Sequence, residues 1–227
     1  NQISLLKYIT KNLKPTNENN IKKINSAKYA CSKMQECYDK VVSLINSNDL
    51  QITRAKLMGY EGTSARIYWK SISALLAEKT DFDGRQQKLP TDAVNTLLNY
   101  GYGILYSQIW SAIILAGLDP YIGFLHVEQT GKPSLVFDLI EEFRAPIVDR
   151  TVIAFVMLNR NIKIEQGLLT LETRQAFSEK LIDRLSSTET YMGKKFVISD
   201  IILLQARKLI NCITNKDEIY KPFSFKW

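Results

Sequence analysis

The sequence predicts an all-α protein, and three observations support this prediction. Its 227 residues contain only 10 glycines and 6 prolines, and several of these cluster in short polar segments. Apolar residues make up 45% of the chain, which is ordinary for a globular protein that buries a core. In several long stretches the apolar residues recur near the helical period. We therefore expect one multi-helix domain over residues 1–227.

Two long helices are predicted in the N-terminal half. The first covers about 19–47, where apolar residues recur roughly every 3.5 positions. These residues are Ile21, Ile24, Cys31, Tyr38, Val41, Val42 and Ile45. The second helix covers about 50–79, and the polar segment 81–90 follows it as a loop.

The third helix begins at a capping residue, Thr91 or Asp92, and runs to about Ala116. The turn 117–120, which contains a glycine and a proline, ends it. A further helix is predicted from Ser134; Pro146 breaks or kinks it, and it continues to about Asn159. A short hairpin is predicted within 162–171 around Gly167. Two more helices are predicted over about 172–187 and 199–214.

The positive charge is concentrated near the start of the chain. Residues 1–40 contain eight lysines and three carboxylates, a net charge of +5 out of the total of +7. Lys7, Lys11 and Lys14 lie at i, i+4 and i+7 and would share one face of a helix. Such a face suits DNA, because lysines that contact phosphates release bound counterions. A solvated helix surface is the alternative interpretation.

The small number of histidines narrows the chemistry. His126 is the single histidine, so sites that need two imidazoles from one chain, such as the H-E-x-x-H zinc site, are excluded. A metal site would take mostly oxygen ligands, which suits Mg²⁺ or Mn²⁺. The three cysteines form no C-x-x-C motif, and their odd number favours a reducing compartment. No apolar run is long enough to predict a membrane span.

Glu61 is predicted to lie on a buried helix face, where an unpaired charge is energetically unfavourable. In a helical projection of 50–79 it lies in the middle of an apolar stripe. The stripe consists of Leu57, Met58, Ala65, Tyr68, Ile72, Leu75 and Leu76. A buried carboxylate must be neutral, paired or bound to a metal. The alternative to a metal ligand is an ion pair with Arg66 or Arg144.

His126 and the helix after it supply further candidate ligands. A lone histidine in an apolar setting is either a hydrogen-bonded core residue or a ligand. Asp138, Glu141 and Glu142 lie within five residues on one helix, and Asp138 can share a face with either glutamate. Carboxylates beside a histidine suit a hard metal ion, whereas acidic residues near a helix start also complement the helix dipole.

The periodicity of this helix favours some of these carboxylates over others. Its apolar stripe consists of Leu135, Val136, Leu139, Ile140 and Phe143. Asp138 and Glu142 flank the stripe, while Glu141 points nearly opposite to it. The pattern therefore nominates Asp138 or Glu142, and Glu141 is a ligand only if that polar face lines a cleft.

The sequence lacks the motifs of several other classes of functional site. The sequence contains neither G-x-x-x-x-G-K-[ST] nor the Rossmann glycine pattern, so a nucleotide cradle is unsupported. Ser134 lacks the context of a nucleophile elbow. No cluster of arginines and histidines supports a tyrosine recombinase.

An ordered set of segments resembles one known family. The segments are 1–6 (NQISLL), 61–69 (EGTSARIYW), 84–85 (GR), 92–102 (DAVNTLLNYGY), 117–126 (GLDPYIGFLH) and 134–144 (SLVFDLIEEFR). Together, in this order and at this spacing, they are similar to the CRISPR-associated integrase and endonuclease that captures new spacers. Trp69 stands where the family usually has phenylalanine.

The resemblance implies a function and a set of site residues. The family inserts spacer DNA into the CRISPR array, where a DNA 3′-OH attacks a phosphodiester. By resemblance, Glu61, His126 and Glu141 hold Mg²⁺ or Mn²⁺, with Asp138 beside the metal. The DNA backbone is then expected to contact Arg66, Arg85, Arg144, Lys7, Lys11 and Lys14.

The resemblance also implies partners and context. They are double-stranded and branched DNA, a second copy in a homodimer and a small ferredoxin-like adaptation subunit, in the cytoplasm of a prokaryote. The family's β-rich N-terminal domain is not recognisable here, so we expect an N-terminally truncated helical catalytic domain, which a fused parent protein could also supply. The alternatives are a casposon-type transposase of the same fold and a non-catalytic helical module that binds DNA or a protein.

Overall fold

Helices dominate the fold, as the sequence predicts. A computed structural model of the chain describes residues 1–11, 13–44, 49–86, 88, 90–126, 130–158, 161–215 and 219–225. The helices are α1 (Gln2–Lys11), α2 (Glu18–Val42), α3 (Leu50–Leu76), α4 (Ala93–Leu115), α5 (Ser134–Phe143), α6 (Arg150–Met157), α7 (Leu171–Ser186) and α8 (Ile198–Thr214). The strands are β1 (Ile164–Glu165), β2 (Leu168–Leu169), β3 (Thr188–Tyr191) and β4 (Lys194–Val197). Among the residues described, none of the helices is long and apolar enough to cross a membrane.

The chain forms two compact units. The N-terminal unit contains Gln2–Asn95, and the C-terminal unit contains Asn1 together with Thr96–Lys226. In the N-terminal unit, α2 packs against both α1 and α3. In the C-terminal unit, the segment Arg144–Asp149 between α5 and α6 packs against α5, α6 and α7. Helix α7 also packs against α8.

Helix α2 confirms the predicted helix but buries a different face. Its buried residues are Lys23, Ala27, Ala30, Met34 and Cys37. Ile21, Tyr38 and Val42, which set the apolar period in the sequence, are exposed. α2 therefore packs on its neighbours through a face that includes Ala27, Ala30 and Met34. The predicted end at 47 overshoots Val42, and residues 45–48 lie outside the described part of the chain.

The start of α4 confirms Asp92 as its capping residue. Asp92 Oδ1 accepts from the backbone N–H of Asn95 at 2.8 Å, as an N-cap side chain does. The buried Asn95 amide in turn donates to the Gly84 carbonyl at 2.8 Å and accepts from the Gln86 N–H at 2.8 Å. One side chain therefore fixes the preceding loop against the helix start.

A glycine ends α4 where the sequence predicts a turn. Gly117 has a φ of +79°, a conformation that favours glycine. Its N–H bonds to the Ile114 carbonyl at 2.9 Å, and the Leu118 N–H bonds to the Ile113 carbonyl at 3.1 Å. This pattern is the Schellman motif, and it satisfies carbonyls that the helix end leaves without helical partners.

Pro146 changes the helix type without ending the helical path. Residues Arg144–Asp149 form a π-helical segment between α5 and α6. Proline has no N–H to donate to the carbonyl four residues earlier, which belongs to Glu142. The Asn1 side-chain amide donates to that carbonyl instead, at 2.7 Å.

Both hairpins turn on a residue pair with positive φ. The predicted hairpin around Gly167 is confirmed: β1 pairs antiparallel with β2 across Gln166 (φ 52°) and Gly167 (φ 78°). A second hairpin joins β3 and β4 across Met192 (φ 49°) and Gly193 (φ 80°), and the sequence analysis missed it. The available signal was the alternating run 188–191 followed by a glycine at the second turn position.

Two glycines of α4 form a matched pair for testing the packing of the C-terminal unit. A Cβ at Gly101 would lie 2.7 Å from Val148 Cγ1 and 3.3 Å from Phe177, whereas one at Gly103 would meet nothing within 4 Å. We expect Gly101→Ala to lower the free energy of unfolding by about 2 kcal/mol through overpacking. Gly103→Ala is expected to raise it by about 0.5–1 kcal/mol, because alanine restricts the unfolded chain. Urea unfolding measures both values, and equal effects of the two changes would contradict the packing shown here.

Candidate functional site

The loop before His126 is held closely against the start of α5. The Leu135 N–H donates to the Pro120 carbonyl at 3.0 Å. At Gly123, a Cβ would lie 2.6 Å from Ser134 Cβ and 2.8 Å from Asp138 Oδ2. Because these distances are too short for any Cβ, a residue with a side chain at 123 would have to displace the loop from the helix.

Asp138 receives this loop with both carboxylate oxygens. Its Oδ2 accepts from the backbone N–H groups of Phe124 at 2.5 Å and Leu125 at 3.0 Å. Its Oδ1 accepts from the backbone N–H of His126 at 3.0 Å and from the imidazole Nδ1 at 2.6 Å. Four donors from three consecutive residues thus converge on one carboxylate, which is mostly buried. The sequence nominated Asp138, and the structure shows it holding the histidine loop.

This contact orients the His126 ring. A carboxylate only accepts hydrogen bonds, so the imidazole Nδ1 carries the proton. The other ring nitrogen, Nε2, is then left for a second partner, the arrangement found where histidines bind metals with a carboxylate behind them. The ring lies tilted against Phe137, with 5.9 Å between the ring centroids, and the side chain is 29% exposed.

Glu141 lies on the partly exposed face of α5, beside an arginine. Its Oε1 accepts from Arg144 Nη1 at 2.5 Å, and the Glu141 side chain is 37% exposed. The Arg144 guanidinium also stacks over the Tyr102 ring at 4.3 Å. The Tyr102 hydroxyl donates to the buried Asp149 Oδ1 at 2.5 Å. Glu141 is therefore the α5 carboxylate that solvent reaches most easily.

Burial opposes the charge of Arg144, but its neighbours more than compensate. Tyr102, Glu141 and Asp149 together raise the pKa of Arg144 above its ordinary value. The guanidinium therefore stays charged and tied to Glu141.

Glu142 binds residues of the C-terminal segment. Its Oε1 accepts from the Tyr220 hydroxyl at 2.5 Å, and its Oε2 accepts from the Phe223 N–H and from Gln205 Nε2, each at 2.7 Å. Burial raises the pKa of Glu142, although these three hydrogen bonds offset part of that shift. Helix periodicity nominated Glu142 as a ligand candidate. Both of its carboxylate oxygens, however, accept hydrogen bonds that attach the C-terminal segment.

The remaining candidate ligand, Glu61, lies on α3 in the N-terminal unit and is half-buried. The stripe around it is partly confirmed. Tyr68, Ile72, Leu75 and Leu76 are buried, whereas Met58 is 41% exposed and Leu57 and Ala65 are intermediate. Arg66 is exposed, and Arg144, the other predicted ion-pair partner, lies beside Glu141.

The structure brings His126 and Asp138 together, and Glu61 belongs to the other compact unit. Within the residues that the structure describes, no three His, Cys, Asp or Glu side chains form a group that could hold a metal ion. The donor types nevertheless fit a hard divalent cation, because Glu61 and Glu141 supply carboxylate oxygens and His126 uses Nδ1 towards Asp138, which leaves Nε2 for a cation.

The predicted DNA contacts lie in different settings. Lys7 and Lys11 are exposed on α1, but the shared face is wrong for Lys14, because α1 ends at Lys11. Arg66 is exposed on α3. The Arg85 guanidinium donates to Asn95 Oδ1 at 3.1 Å and to the Gln86 carbonyl, so it takes part in the loop before α4.

Several residues of the site escaped the sequence analysis. Tyr102, Gln205 and Tyr220 contact Arg144 or Glu142 from distant parts of the chain, and Asp149 accepts from Tyr102. Tyr102 is the last residue of the family-like segment 92–102, and this was a signal that could have revealed it. Periodicity gives no signal for Asp149, Gln205 or Tyr220.

Comparison with known proteins identifies the family. Residues 1–182 match the family described as "CRISPR associated protein Cas1". The chain belongs to the Cas1 family. A "CRISPR-associated endonuclease Cas1 1" from Archaeoglobus fulgidus is 33% identical over 240 residues, covering 100% of this chain and 68% of the relative. The protein of the same name from Francisella tularensis subsp. novicida is 37% identical, covering 75% of this chain and 52% of the relative.

Solved structures share the Cas1 fold. A casposase bound to integration product matches with a TM-score of 0.74 and 25% identity, covering 97% of this chain and 58% of that one. A chain titled "Partial Cas6-RT-Cas1--Cas2 complex" matches with a TM-score of 0.72 and 22% identity, covering 100% of this chain and 67% of that one. The Cas1 resemblance and the mostly helical fold predicted from the sequence are thus confirmed.

We expect Asp138→Asn to release the histidine loop. An amide has one accepting oxygen in place of two, so donors among 124–126 lose their partner, at a cost of about 2 kcal/mol in the free energy of unfolding. The His126 Nδ1 proton should lose its strongly hydrogen-bonded NMR signal, which ¹⁵N-resolved spectra would detect. Asp183→Asn, a matched change on the exposed face of α7, should leave the signal in place. An unchanged signal in Asp138→Asn would contradict the tautomer assigned here.

Glu142→Ala tests the attachment of the C-terminal segment. It leaves the Tyr220 hydroxyl, the Gln205 amide and the Phe223 N–H without their carboxylate, which we expect to cost about 3 kcal/mol. Glu179→Ala, on the exposed face of α7, should change stability by less than about 0.5 kcal/mol. Chemical unfolding of the two variants provides the comparison, and similar values would count against a structural role for Glu142.

Proposed function

We propose that this Cas1 chain is the catalytic part of a metal-dependent DNA integrase and endonuclease that inserts new spacers into a CRISPR array. The observation that carries the proposal is the Asp138 carboxylate behind His126 Nδ1, which orients Nε2 as a ligand. Family membership supports the substrate class, since relatives are named CRISPR-associated endonucleases.

His126, Glu141 and Glu61 are the proposed ligands of Mg²⁺ or Mn²⁺. When bound, such an ion would polarise phosphoryl oxygens and stabilise the oxygen displaced when a DNA 3′-OH attacks a phosphodiester. His126 contributes Nε2, and Glu141 is the most exposed of the α5 candidates. Glu61 belongs to the other unit, and its place in this set rests on the family resemblance.

Asp138 acts on the site through His126. It accepts from Nδ1 and so leaves Nε2 for a cation, and it accepts from three backbone N–H groups, which fixes the position of the loop that carries the ring. Asp138, which the resemblance places beside the metal, is thus proposed as a positioning carboxylate.

Basic residues are proposed to hold double-stranded or branched DNA. Lys7, Lys11, Lys14 and Arg66 are exposed and gain from counterion release on phosphates. Arg85 is included by resemblance, although it also holds Asn95.

Assembly as a homodimer with a small ferredoxin-like subunit completes the proposal. A solved chain of the same fold carries a title that names Cas1 and Cas2 in one complex. The parent could likewise be a fusion, since that title also names Cas6 and RT domains.

A casposon-type transposase is the second candidate, because a casposase bound to integration product shares the fold at a TM-score of 0.74. The two functions use the same chemistry and differ in the target. Insertion at the edges of CRISPR repeats supports adaptation, whereas insertion without regard to repeats supports the transposase.

The ligand set is tested by strand transfer in the protein that carries this chain. With Mn²⁺ and a branched DNA substrate, Glu61→Ala and His126→Ala should each lower the rate by about 100-fold, because each removes a metal ligand. Glu179→Ala serves as the matched control and should leave the rate unchanged. Undiminished strand transfer in either ligand variant would refute the assignment. If the wild type neither binds Mn²⁺ by calorimetry nor transfers strands, a non-catalytic binding module is the better description.

A further inference from the structure

Arg144 lies in a cluster that the proposed reaction has not explained. Its guanidinium contacts Glu141 Oε1 at 2.5 Å and the face of the Tyr102 ring at 4.3 Å. Asp149, which is 1% exposed, accepts from the Tyr102 hydroxyl at 2.5 Å and interacts electrostatically with the same guanidinium. The arginine thus contacts Glu141 and Tyr102 directly, and Asp149 is linked to it through the Tyr102 hydroxyl.

The contacts of Arg144 differ from those of an arginine whose guanidinium is available to bind a DNA phosphate. The Arg144 side chain is 27% exposed, and its charge is already offset by two carboxylates. An arginine that reads a phosphate presents its planar fork of donors to the ligand. Here one nitrogen of the fork bonds to Glu141, and one face of the plane lies on Tyr102.

We propose that Arg144 is a positioning residue for Glu141 rather than a ligand of the DNA backbone. The inference rests on the proposed function, because it assigns Arg144 a role towards the metal that Glu141 would hold. The order of contact is Asp149 to the Tyr102 hydroxyl, the Tyr102 ring to the guanidinium, and the guanidinium to Glu141 Oε1.

The physical benefit is preorganisation. A partly exposed glutamate samples several rotamers, and a ligand that binds it must overcome that freedom. Arg144 bonds to one oxygen of the carboxylate, Oε1, which leaves Oε2 as the oxygen offered to a cation. The carboxylate therefore meets a cation with part of its rotamer freedom already lost.

The sign of the effect separates this role from simple electrostatics. A positive charge beside a metal site repels the metal, so charge alone predicts that removing Arg144 tightens Mn²⁺ binding. Positioning predicts the opposite, because the freed Glu141 side chain must be ordered when the ion binds.

The experiment titrates Mn²⁺ into the full protein by calorimetry, without DNA. We expect Arg144→Gln to bind Mn²⁺ about 10-fold more weakly than the wild type, the size typical of residues that orient metal ligands. Arg144→Lys should give an intermediate affinity, because an ammonium still pairs with Glu141 but lacks the planar stacking on Tyr102. Arg174→Gln, an exposed arginine of α7, is the matched control and should bind as the wild type does.

Tyr102→Phe keeps the test decisive if Arg144→Gln unfolds. The ring remains under the guanidinium, but Asp149 loses its hydroxyl partner and competes with Glu141 for Arg144. Mn²⁺ affinity should fall by a smaller factor than in Arg144→Gln, and thermal unfolding confirms that the variant is folded.

DNA affinity in EDTA provides the second measurement. Positioning predicts that Arg144→Gln matches Arg174→Gln at every salt concentration. A loss of affinity with a salt slope reduced by about 1 would identify a phosphate contact and overturn the proposal. Unchanged or tighter Mn²⁺ binding in Arg144→Gln would also overturn it. Failure of the wild type to bind Mn²⁺ would overturn the metal site itself, and this inference with it.

Discussion

The candidate site depends on one carboxylate that accepts four hydrogen bonds. Asp138 binds the backbone of Phe124, Leu125 and His126 as well as the imidazole, so the position and the tautomer of the histidine have a common cause. The arrangement requires that the loop approach α5 closely, and Gly123 permits this because even a Cβ there would lie 2.6 Å from Ser134 Cβ. A loop held in this way has little freedom to move the imidazole, which is what a preorganised ligand needs.

The three carboxylates of α5 have different partners, because Asp138 lies one helical turn before Glu142 while Glu141 lies on the more exposed side of the helix. Asp138 faces the loop before the helix, Glu141 faces Arg144 on the accessible side, and Glu142 faces the C-terminal segment. Burial separates them further: it raises the pKa of Glu142, which three donors hold inside, while Glu141 stays partly exposed. Residues of one type within five positions thus have separate roles through their surroundings.

The π-helical segment after α5 connects this helix to the rest of its unit. Pro146 leaves the Glu142 carbonyl without a helical donor, and Asn1 supplies one. The Asn1 amide also donates to the Phe223 carbonyl at 3.1 Å, and its Oδ1 accepts from the Phe225 N–H at 2.8 Å. The wider turn includes both Arg144 and Asp149, so the segment that accommodates the proline also brings together the groups around Tyr102.

Several local features were predictable from the sequence, because periodicity, capping and positive φ are local properties. They are the long helices from α2 onward, a cap at Thr91 or Asp92, the glycine at the end of α4 and the hairpin at Gly167. Helix periodicity also nominated Asp138 and Glu142, His126 stood out as the single histidine, and Glu141 entered through the family resemblance. The sequence did not determine which face of α2 is buried, where Ala27, Ala30 and Met34 are buried and Ile21 and Tyr38 are exposed. Nor did it separate the roles of the α5 carboxylates, since helix periodicity favoured Asp138 and Glu142 equally. Only the tertiary structure decided that question, because the donors to Asp138 and Glu142 lie up to 14 and 81 residues away along the chain.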